Sequence, residues 1–197
     1  AEARLKLLET QLEPHMLFNA LANLRVLVAH DPARAQHMLD HLIAYLRATL
    51  GASRSTEHPL QAEFDRLRDY LALMAVRMGP RLRYTLDLPD DLADQPVPTL
   101  LLQPLVENSI THGLEPQVEG GHITVQARRE GARLVLTVTD SGVGLDMPTT
   151  HAGGGFGLAQ VRERLATAYG TQGTIELIAG SVGGTCAIVI FPLKNEP

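Results

Sequence analysis

The chain has 197 residues, which is enough for one or two domains with a substantial buried core. A net charge of −5 and an aromatic content of 4% argue against a nucleic-acid-binding protein, which normally has a basic surface and rings that stack on bases. The single cysteine, Cys186, excludes an internal disulfide framework and a zinc site made of several cysteines. No apolar run approaches the ~20 residues that cross a bilayer, yet the chain starts at Ala1 within a helical pattern, so we expect a piece of a longer protein.

The first half of the chain has the periodicity of helices. Apolar residues recur at spacings of three and four over residues 5–29, which predicts a helix with a kink at Pro14, because proline removes a backbone donor. Asp31 is a suitable cap for a second helix over residues 32–50, which begins with proline. The connection is so short that the two helices should form an antiparallel hairpin. The expected buried stripe of the second helix consists of Ala35, Met38, Leu39, Leu42, Ile43, Leu46 and Leu50.

Residues 51–59 are polar and rich in turn-forming residues, which is typical of a linker. A third helix is predicted over residues 60–78 and should end at Gly79-Pro80. Its inward-facing residues are expected to be Leu67, Tyr70, Leu71, Met74 and Met78. Four histidines are expected at the surface of these elements, namely His30, His37, His41 and His58.

The second half of the chain has the pattern of a mixed α/β domain. Strands are predicted over residues 84–88, 122–128, 134–139, 174–178 and 185–191, and helices over residues 98–113 and 161–169. The Glu130-Gly131 turn should join the second and third strands as a hairpin. Pro104 should perturb the early turns of the first helix. These elements favour helices packed over one sheet of mainly antiparallel strands.

Two glycine clusters occupy loops of this second half. Asp140-Ser-Gly-Val-Gly144 follows a predicted strand, and the glycine-rich residues 153–157 directly precede a helix. Free backbone amides at a helix N-terminus form an anion site, and phosphate is its usual occupant. The aspartate at the strand end can accept a hydrogen bond from an exocyclic amine such as that of adenine. Neither cluster has the setting of a Walker loop or a dinucleotide fingerprint, and the alternative is that both only form surface turns.

A cluster of polar side chains interrupts the predicted helix over residues 98–113. Gln103, Glu107, Asn108 and His112 lie there among apolar neighbours. An asparagine carbonyl together with waters suits Mg²⁺, which prefers hard oxygen ligands and retains much of its hydration. The alternative is a partly exposed helix whose polar residues face solvent.

Several motifs together resemble a known family. Residues 107–113 (ENSITHG), 140–144 (DSGVG) and 155–158 (GFGL) resemble the N, G1 and G2 boxes of the Bergerat-type ATPases, also called GHKL ATPases. Gly183-Gly184-Thr185 resembles the closing Gly-Thr element of that family. Residues 14–19 (PHMLFN) and 161–165 (VRERL) narrow the resemblance to the LytS-like (autolysin-sensor) sensor histidine kinases. The similarity covers nearly the whole chain, with the motifs in the expected order.

The resemblance implies a fold of the α + α/β type. An N-terminal helical hairpin, which dimerises into a four-helix bundle, would be followed by a Bergerat-type α/β sandwich with a mixed, mainly antiparallel sheet. The implied domains are a dimerisation and histidine phosphotransfer hairpin at residues 1–55 and an ATP-binding catalytic domain at residues 56–197, into which the helix 60–78 leads.

The resemblance also implies a function, the cytoplasmic catalytic core of a two-component sensor histidine kinase. Such a core forms a homodimer, autophosphorylates on histidine with ATP and Mg²⁺, and passes the phosphoryl group to an aspartate of a response regulator. No nucleic acid is implied as a partner. Membrane segments would precede Ala1, so the whole protein would lie in an inner or plasma membrane.

The family pattern assigns roles to individual residues. His15 would be the phosphoacceptor, with Asn19 one turn away on the same helical face, and Glu107 would polarise the attacking imidazole or a metal-bound water. Asp140 would bind the adenine amine with support from Thr185, and Asn108 would be the Mg²⁺ ligand. The full set implied to bind the nucleotide is Asn108, His112, Asp140, Gly142, Gly144, Gly155, Gly157, Leu158 and Thr185.

The sequence departs from the family pattern near the phosphoacceptor. Met16 follows His15, where many histidine kinases have an acid, and Glu13 precedes Pro14 in place of asparagine. This departure motivates an alternative, a nucleotide-sensing dimerisation module with weak or no kinase activity. An ATP-hydrolysing clamp of the gyrase or chaperone kind would account for the glycine loops but not for the histidine helix.

Overall fold

The computed structural model describes residues 14–52, 55–144, 156–181 and 183–194. Helices α1 (Pro14–His30) and α2 (Pro32–Ala52) pack against each other and are joined by Asp31 alone. The Asp31 carboxylate accepts a hydrogen bond from the backbone N–H of Arg34 at 3.1 Å, so the predicted cap is confirmed. The predicted kink at Pro14 depends on the preceding turn, which lies outside the described residues.

Helix α3 (Leu60–Met78) packs against α2 and also contacts α1. Its five residues predicted to face inward are all buried. The stripe predicted for α2 is partly wrong, because Leu39 and Ile43 are 42% and 39% exposed. The buried row of α2 is narrower and consists of Ala35, Met38, Leu42, Tyr45 and Thr49. A helix covered on one side by α1 and α3 buries only the row that faces them, and the adjacent apolar row stays open.

The strands are β1 (Glu57–Pro59), β2 (Leu82–Asp87), β3 (Pro96–Pro98), β4 (Gly121–Glu130), β5 (Arg133–Asp140), β6 (Thr174–Ala179) and β7 (Thr185–Pro192). Five of them form one sheet in the order β2-β4-β5-β7-β6. Only the β2–β4 pair of this sheet is parallel, and the predicted hairpin joins β4 to β5 around Gly131. The prediction of a mixed, mainly antiparallel sheet is confirmed.

The core lies against one face of this sheet. Alternate residues of the central strands are buried, as expected when only one face is covered. The buried set includes Ile123, Val125, Ala127, Leu136, Val138, Ala187, Val189 and Phe191, together with Val161 and Leu165 of the helix α5 (Phe156–Tyr169). The fold is therefore a helical part followed by an α/β sandwich, as predicted. Within the described residues every helix is too short or too polar to span a bilayer.

Two predictions for the segments that flank α3 are wrong. Part of the expected linker 51–59 forms β1, which pairs with β3, and α2 extends through Ala52. The helix expected from residue 98 begins only at Gln103, because residues 96–98 are a strand and Leu100 adopts a positive φ of 57°. Short proline-containing strands carry no alternating pattern, so the sequence gives little sign of them.

The helix α4 (Gln103–Asn108) continues as a π-helical segment over Ser109–Leu114. Pro104 lies in its first turn, where a missing backbone donor is tolerated. The predicted perturbation of the early turns is therefore absent, and the irregularity lies at the other end of the helix. Widened turns of this kind often occur at functional sites.

Candidate functional site

Asp140 stands at the C-terminal end of β5 and is 3% exposed. Its Oδ1 accepts hydrogen bonds from the backbone N–H of Gly142 at 2.9 Å and of Thr185 at 3.2 Å. No hydrogen bond to its Oδ2 is made by any described residue. One carboxylate oxygen is thus fixed by the protein, and the other remains available as an acceptor.

The backbone segments around Asp140 approach one another closely. The backbone N–H of Val143 donates to the carbonyl of Gly113 at 3.1 Å, which joins the glycine loop to the end of the π-helical segment. A Cβ atom at Gly142 would lie 2.3 Å from that same carbonyl oxygen. A Cβ atom at Gly184 would lie 2.0 Å from the carbonyl oxygen of Asp140, and Gly184 has a φ of 75°. Glycine is therefore required at both positions.

The loop after β5 is also tied to the neighbouring strand β4. The Ser141 hydroxyl accepts a hydrogen bond from the backbone N–H of His122 at 2.9 Å, and the Ser141 N–H donates to the His122 carbonyl at 3.0 Å. These bonds fix the chain that enters Gly142 and Gly144.

The polar residues of α4 differ in their surroundings. Gln103 is buried, whereas Glu107, Asn108 and His112 are half-buried. The side chain of Asn108 makes no hydrogen bond to any described residue, and a Cβ atom at Gly157 would lie 3.2 Å from its Nδ2. The sequence alternative of a solvent-facing polar helix is therefore wrong for Gln103, and the amide of Asn108 stands beside the start of α5.

The structure brings most of the residues predicted for the site into two adjoining groups. Asp140, Gly142 and Thr185 are linked by hydrogen bonds, with Gly144 beside Gly184. Asn108 adjoins Gly157, and Leu158 packs against the core at the same helix end.

Two further predicted residues lie wholly or partly outside the described part of the chain. His15 lies in the first turn of α1, but its side chain is outside the described part of the chain, as is the whole of Gly155. Asn19, on the same helix, is half-buried.

Glu63 of α3 is a buried charge that the sequence prediction missed. It is 1% exposed and accepts hydrogen bonds from the backbone N–H groups of Leu100 at 2.8 Å and Leu102 at 2.9 Å. Arg66 and His58 contact its Oε1 at 2.9 Å and 2.7 Å. Burial by itself would raise the pKa of Glu63, but these hydrogen bonds and the Arg66 charge outweigh burial and lower it.

The placement of His58 corrects the expectation of a surface histidine, since its side chain is only 13% exposed. The sequence signal for the cluster is Glu63 itself, a charge on the helical face that also carries Leu60, Phe64 and Leu67. The two backbone N–H groups that Glu63 binds, those of Leu100 and Leu102, lie in the segment directly before α4. The buried carboxylate therefore holds the chain that leads into the polar helix.

Arg164 of α5 holds the same segment from the other side. Its guanidinium donates to the carbonyl oxygens of Thr99 and of Leu100, the latter at 2.7 Å. Burial lowers the pKa of Arg164, and the charge of Glu63 opposes that shift. Leu100, with its positive φ, is thus fixed by one carboxylate and one guanidinium.

Helix α3 also fixes the chain that follows the polar helix. Arg77 forms an ion pair with Glu115, and Arg81, just beyond α3, donates to the carbonyl oxygens of Glu115 and Gln117. Together with Glu63, these contacts tie both ends of the segment that carries Asn108 to the same helix. The position of α3 therefore determines where the polar groups of α4 stand.

Two family models match the chain in succession. Residues 3–82 match the model described as histidine kinase, and residues 93–195 match the model described as histidine kinase-, DNA gyrase B-, and HSP90-like ATPase.

The chain is similar in sequence to several sensor proteins. The chain is 35% identical over 196 residues to the sensor histidine kinase BtsS of Escherichia coli, and 31% identical over 198 residues to the sensor histidine kinase YesM of Bacillus subtilis. It is 28% identical over 205 residues to the sensor protein LytS of Enterococcus faecalis. Each alignment covers 99% of this chain but only 34–35% of the relative, so the chain spans about a third of the length of these proteins.

Solved structures share the fold at low identity. The histidine kinase domain of the blue-light activated kinase EL346 of Erythrobacter litoralis superposes with a TM-score of 0.54 at 17% identity, and covers 80% of this chain and 82% of that domain. The catalytic domain of the histidine kinase ThkA superposes with a TM-score of 0.52 at 17% identity, and covers 72% of this chain and 98% of that domain. These similarities support the fold and nothing finer.

Proposed function

This chain belongs to the histidine kinase-, DNA gyrase B- and HSP90-like ATPase family, and we propose that it is the catalytic core of a two-component sensor histidine kinase of the LytS-like group. In this proposal it phosphorylates His15 with ATP and passes the phosphoryl group to an aspartate of a response regulator. The observation that carries the proposal is Asp140, a buried carboxylate with one oxygen fixed by two backbone N–H groups and the other left without a partner among the described residues.

The proposed nucleotide site is centred on that second oxygen, Oδ2. Oδ2 of Asp140 accepts a hydrogen bond from the adenine amine, and Thr185 supports the carboxylate through its backbone N–H rather than through its hydroxyl. Gly142 and Gly144 let the chain pass close to the base, because neither adds a side chain there. His112 borders the site from the π-helical segment, and Gly155, Gly157 and Leu158 form the lid over the phosphates.

Asn108 fits the proposed role of Mg²⁺ ligand. Its side chain has an amide oxygen, is half-buried, and makes no hydrogen bond to any described residue, so within that part of the chain no partner competes for the oxygen. Mg²⁺ bound with ATP would neutralise phosphate charge during transfer. The side chain of Asn108 stands beside Gly157, where the start of α5 offers backbone amides to an anion.

In the proposed reaction, a ring nitrogen of His15 attacks the γ-phosphorus of ATP. The new N–P bond forms as the bond to the β–γ bridging oxygen breaks, ADP leaves, and the imidazole loses a proton. Glu107 is the proposed acceptor of that proton, and Asn19 is proposed to assist on the face of α1 that carries His15. A neutral imidazole is a competent nucleophile near neutral pH.

A homodimer is part of the proposal, with a four-helix bundle formed by two hairpins. Large apolar side chains on α1 and α2 are exposed in the single chain, namely Phe18, Leu21, Val26, Val28, Leu39 and Ile43. An exposed apolar face of this kind indicates a protein contact. The division into residues 1–55 and 56–197, the response regulator as partner, and the cytoplasmic side of a membrane as location all remain predictions.

The test is phosphorylation with γ-³²P-labelled ATP, in parallel with nucleotide binding. The wild type should take up acid-labile label, and His15→Ala should take up none while it still binds ATP. The exposed His37 provides the matched control, because His37→Ala should be labelled like the wild type. Acid-labile label that persists in His15→Ala would refute the assignment, and binding without any phosphohistidine in Mg²⁺ or Mn²⁺ would favour the nucleotide-sensing alternative.

Asp140→Asn tests the nucleotide site separately. The asparagine must keep its oxygen toward the N–H groups of Gly142 and Thr185, so its NH₂ group faces the adenine amine and two donors oppose each other. The loss of a charge-assisted hydrogen bond should weaken ATP binding by roughly 10-fold to 100-fold. Unchanged ATP affinity in a folded Asp140→Asn protein would contradict the placement of adenine.

A further inference from the structure

Gln103 connects the helical hairpin to the polar helix through its side-chain amide. It is 4% exposed, and its Nε2 donates hydrogen bonds to Oε1 of Glu107 at 2.8 Å and to the phenol oxygen of Tyr45 at 3.2 Å. A carboxylate can only accept hydrogen bonds, so the NH₂ end of the amide must face Glu107. Both amide hydrogens are used, one toward each partner, and the amide has a single possible orientation.

The buried amide of Gln103 is energetically less favourable at this position than an apolar side chain of similar size would be. Its Oε1 is buried and has no hydrogen-bond partner among the described residues, which is unfavourable for a polar atom. The next residues, Pro104, Leu105 and Val106, are all buried and apolar. A leucine in place of Gln103 would continue this apolar packing without an unsatisfied oxygen, so packing does not explain the glutamine.

Tyr45 belongs to the hairpin and not to the α/β domain. It lies on α2, is 1% exposed, and its ring centroid is 5.8 Å from that of Tyr70 on α3. The phenol oxygen is therefore held by the packing between α2 and α3. The hydrogen bond to Gln103 joins residues that are 58 positions apart in the chain, and a shift of α2 away from α4 would lengthen or break it.

We propose that Gln103 is a positioning residue that orients the carboxylate of Glu107. Through the hydrogen bond to Tyr45, that orientation also depends on the position of α2 relative to α4. The inference rests on the proposed function, because it gives Glu107 a part in phosphoryl transfer. The amide holds Oε1 of Glu107 through its Nε2 at 2.8 Å, and this contact sets the direction in which the carboxylate faces. When the hairpin moves, Tyr45 withdraws one of the two contacts that keep the amide in place, and the carboxylate loses its fixed orientation.

Tyr45→Phe is the sharpest test, because it removes one oxygen and keeps the ring that packs on Tyr70. We expect the maximal rate constant of autophosphorylation to fall by about threefold to tenfold, as for the loss of one hydrogen bond, while the ATP concentration at half-maximal rate stays within about twofold. Gln103→Leu removes both contacts and should lower the same rate constant by about 10-fold to 100-fold with the same insensitivity to ATP. Because Tyr45→Phe keeps the ring contact with Tyr70, a lower rate at unchanged ATP dependence is assigned to the lost hydrogen bond and not to lost packing.

Tyr169→Phe is the matched control. The Tyr169 hydroxyl is buried without a hydrogen-bond partner among the described residues, so its removal should leave the rate constant unchanged. Circular dichroism and urea unfolding of each variant verify that it is folded before its rate is compared.

A double-mutant cycle distinguishes this inference from the proposed function itself. In a Glu107→Gln background, Tyr45→Phe should cause no further loss of rate, because the oriented carboxylate is already gone. An impaired Glu107→Gln with an unaffected Tyr45→Phe would overturn the inference alone. A Glu107→Gln protein with the wild-type rate would overturn the role of Glu107 and this inference with it, and so would a folded wild type that forms no phosphohistidine.

Discussion

Replacement of Glu63 by alanine should strongly destabilise the protein. The carboxylate is 1% exposed, and its partners Arg66 and His58 have side chains that are 3% and 13% exposed, so the substitution leaves buried charge without compensation. Removal of one member of a buried ion pair costs about 3–5 kcal/mol, and two orphaned backbone N–H groups at Leu100 and Leu102 add to that cost. Because such contributions are not additive, we expect a loss of about 4 kcal/mol from a total that is typically 5–15 kcal/mol.

Urea unfolding followed by circular dichroism measures this loss. With a slope of about 2 kcal/mol per M, the midpoint should fall by about 2 M. Asp65→Ala is the control on the same helix, because Asp65 and its partner Arg68 are 52% and 54% exposed and such surface pairs contribute ~0–1 kcal/mol.

A second variant tests the same reasoning. If the cost arises from uncompensated charge, replacement of both Glu63 and Arg66 by leucine should be less harmful than Glu63→Ala alone. A Glu63→Ala protein that loses less than about 1 kcal/mol would show that the cluster does not hold the segment before α4.

Three other predictions follow from the same structure. The pKa of Glu63 is lowered by folding, so its stabilising contribution should be complete above the unfolded pKa near 4.5 and should vanish as the pH falls through the folded pKa. When the free energy of unfolding is measured against pH in acid, Glu63→Gln should therefore show a flatter decline than the wild type. Gly184→Ala should lower the free energy of unfolding, measured with urea, by about 3 kcal/mol, because its Cβ would clash with the Asp140 carbonyl at a positive φ. Gly131→Ala is the control and should lower it by only about 1 kcal/mol, because Gly131 has a φ of 60° but open space around it. Ile43→Asp should raise the dimer dissociation constant measured by sedimentation by about tenfold or more. Ile178→Asp is the control, because Ile178 is similarly exposed but lies on β6, and it should leave the constant unchanged. A dimer that tolerates Ile43→Asp would contradict the proposed interface.

Local sequence signals predicted the elements and the outline of the site. Asp31 followed by proline has the chemistry of a helix cap, and its carboxylate does cap α2. The glycines of residues 140–144 indicated a loop in the sequence, and the structure adds that a Cβ atom at Gly142 would meet the backbone of Gly113. Such signals act within a few residues, so they can be recognised without knowledge of the fold.

Contacts between distant parts of the chain were decided by the tertiary structure alone. Glu63 meets the backbone of Leu100 and Leu102 across 37 and 39 positions, and Gln103 meets Tyr45 across 58. A charge or an amide on an apolar helical face indicates only that a partner must exist, since the identity of that partner depends on which elements pack together.

The same distinction separates what was predicted about burial from what was not. Helical periodicity correctly predicted an apolar stripe on α2, but which row faces α1 and α3, and that Leu39 and Ile43 stay open, depends on how the helices are rotated against each other. The sequence by itself determined the hairpin, the mixed sheet and the glycine loops, because each depends on local backbone preference and hydrophobic period. The tertiary structure decided how α3 and Tyr45 connect the hairpin to the polar helix, because hydrogen bonds between distant residues form only where packing brings their atoms within reach.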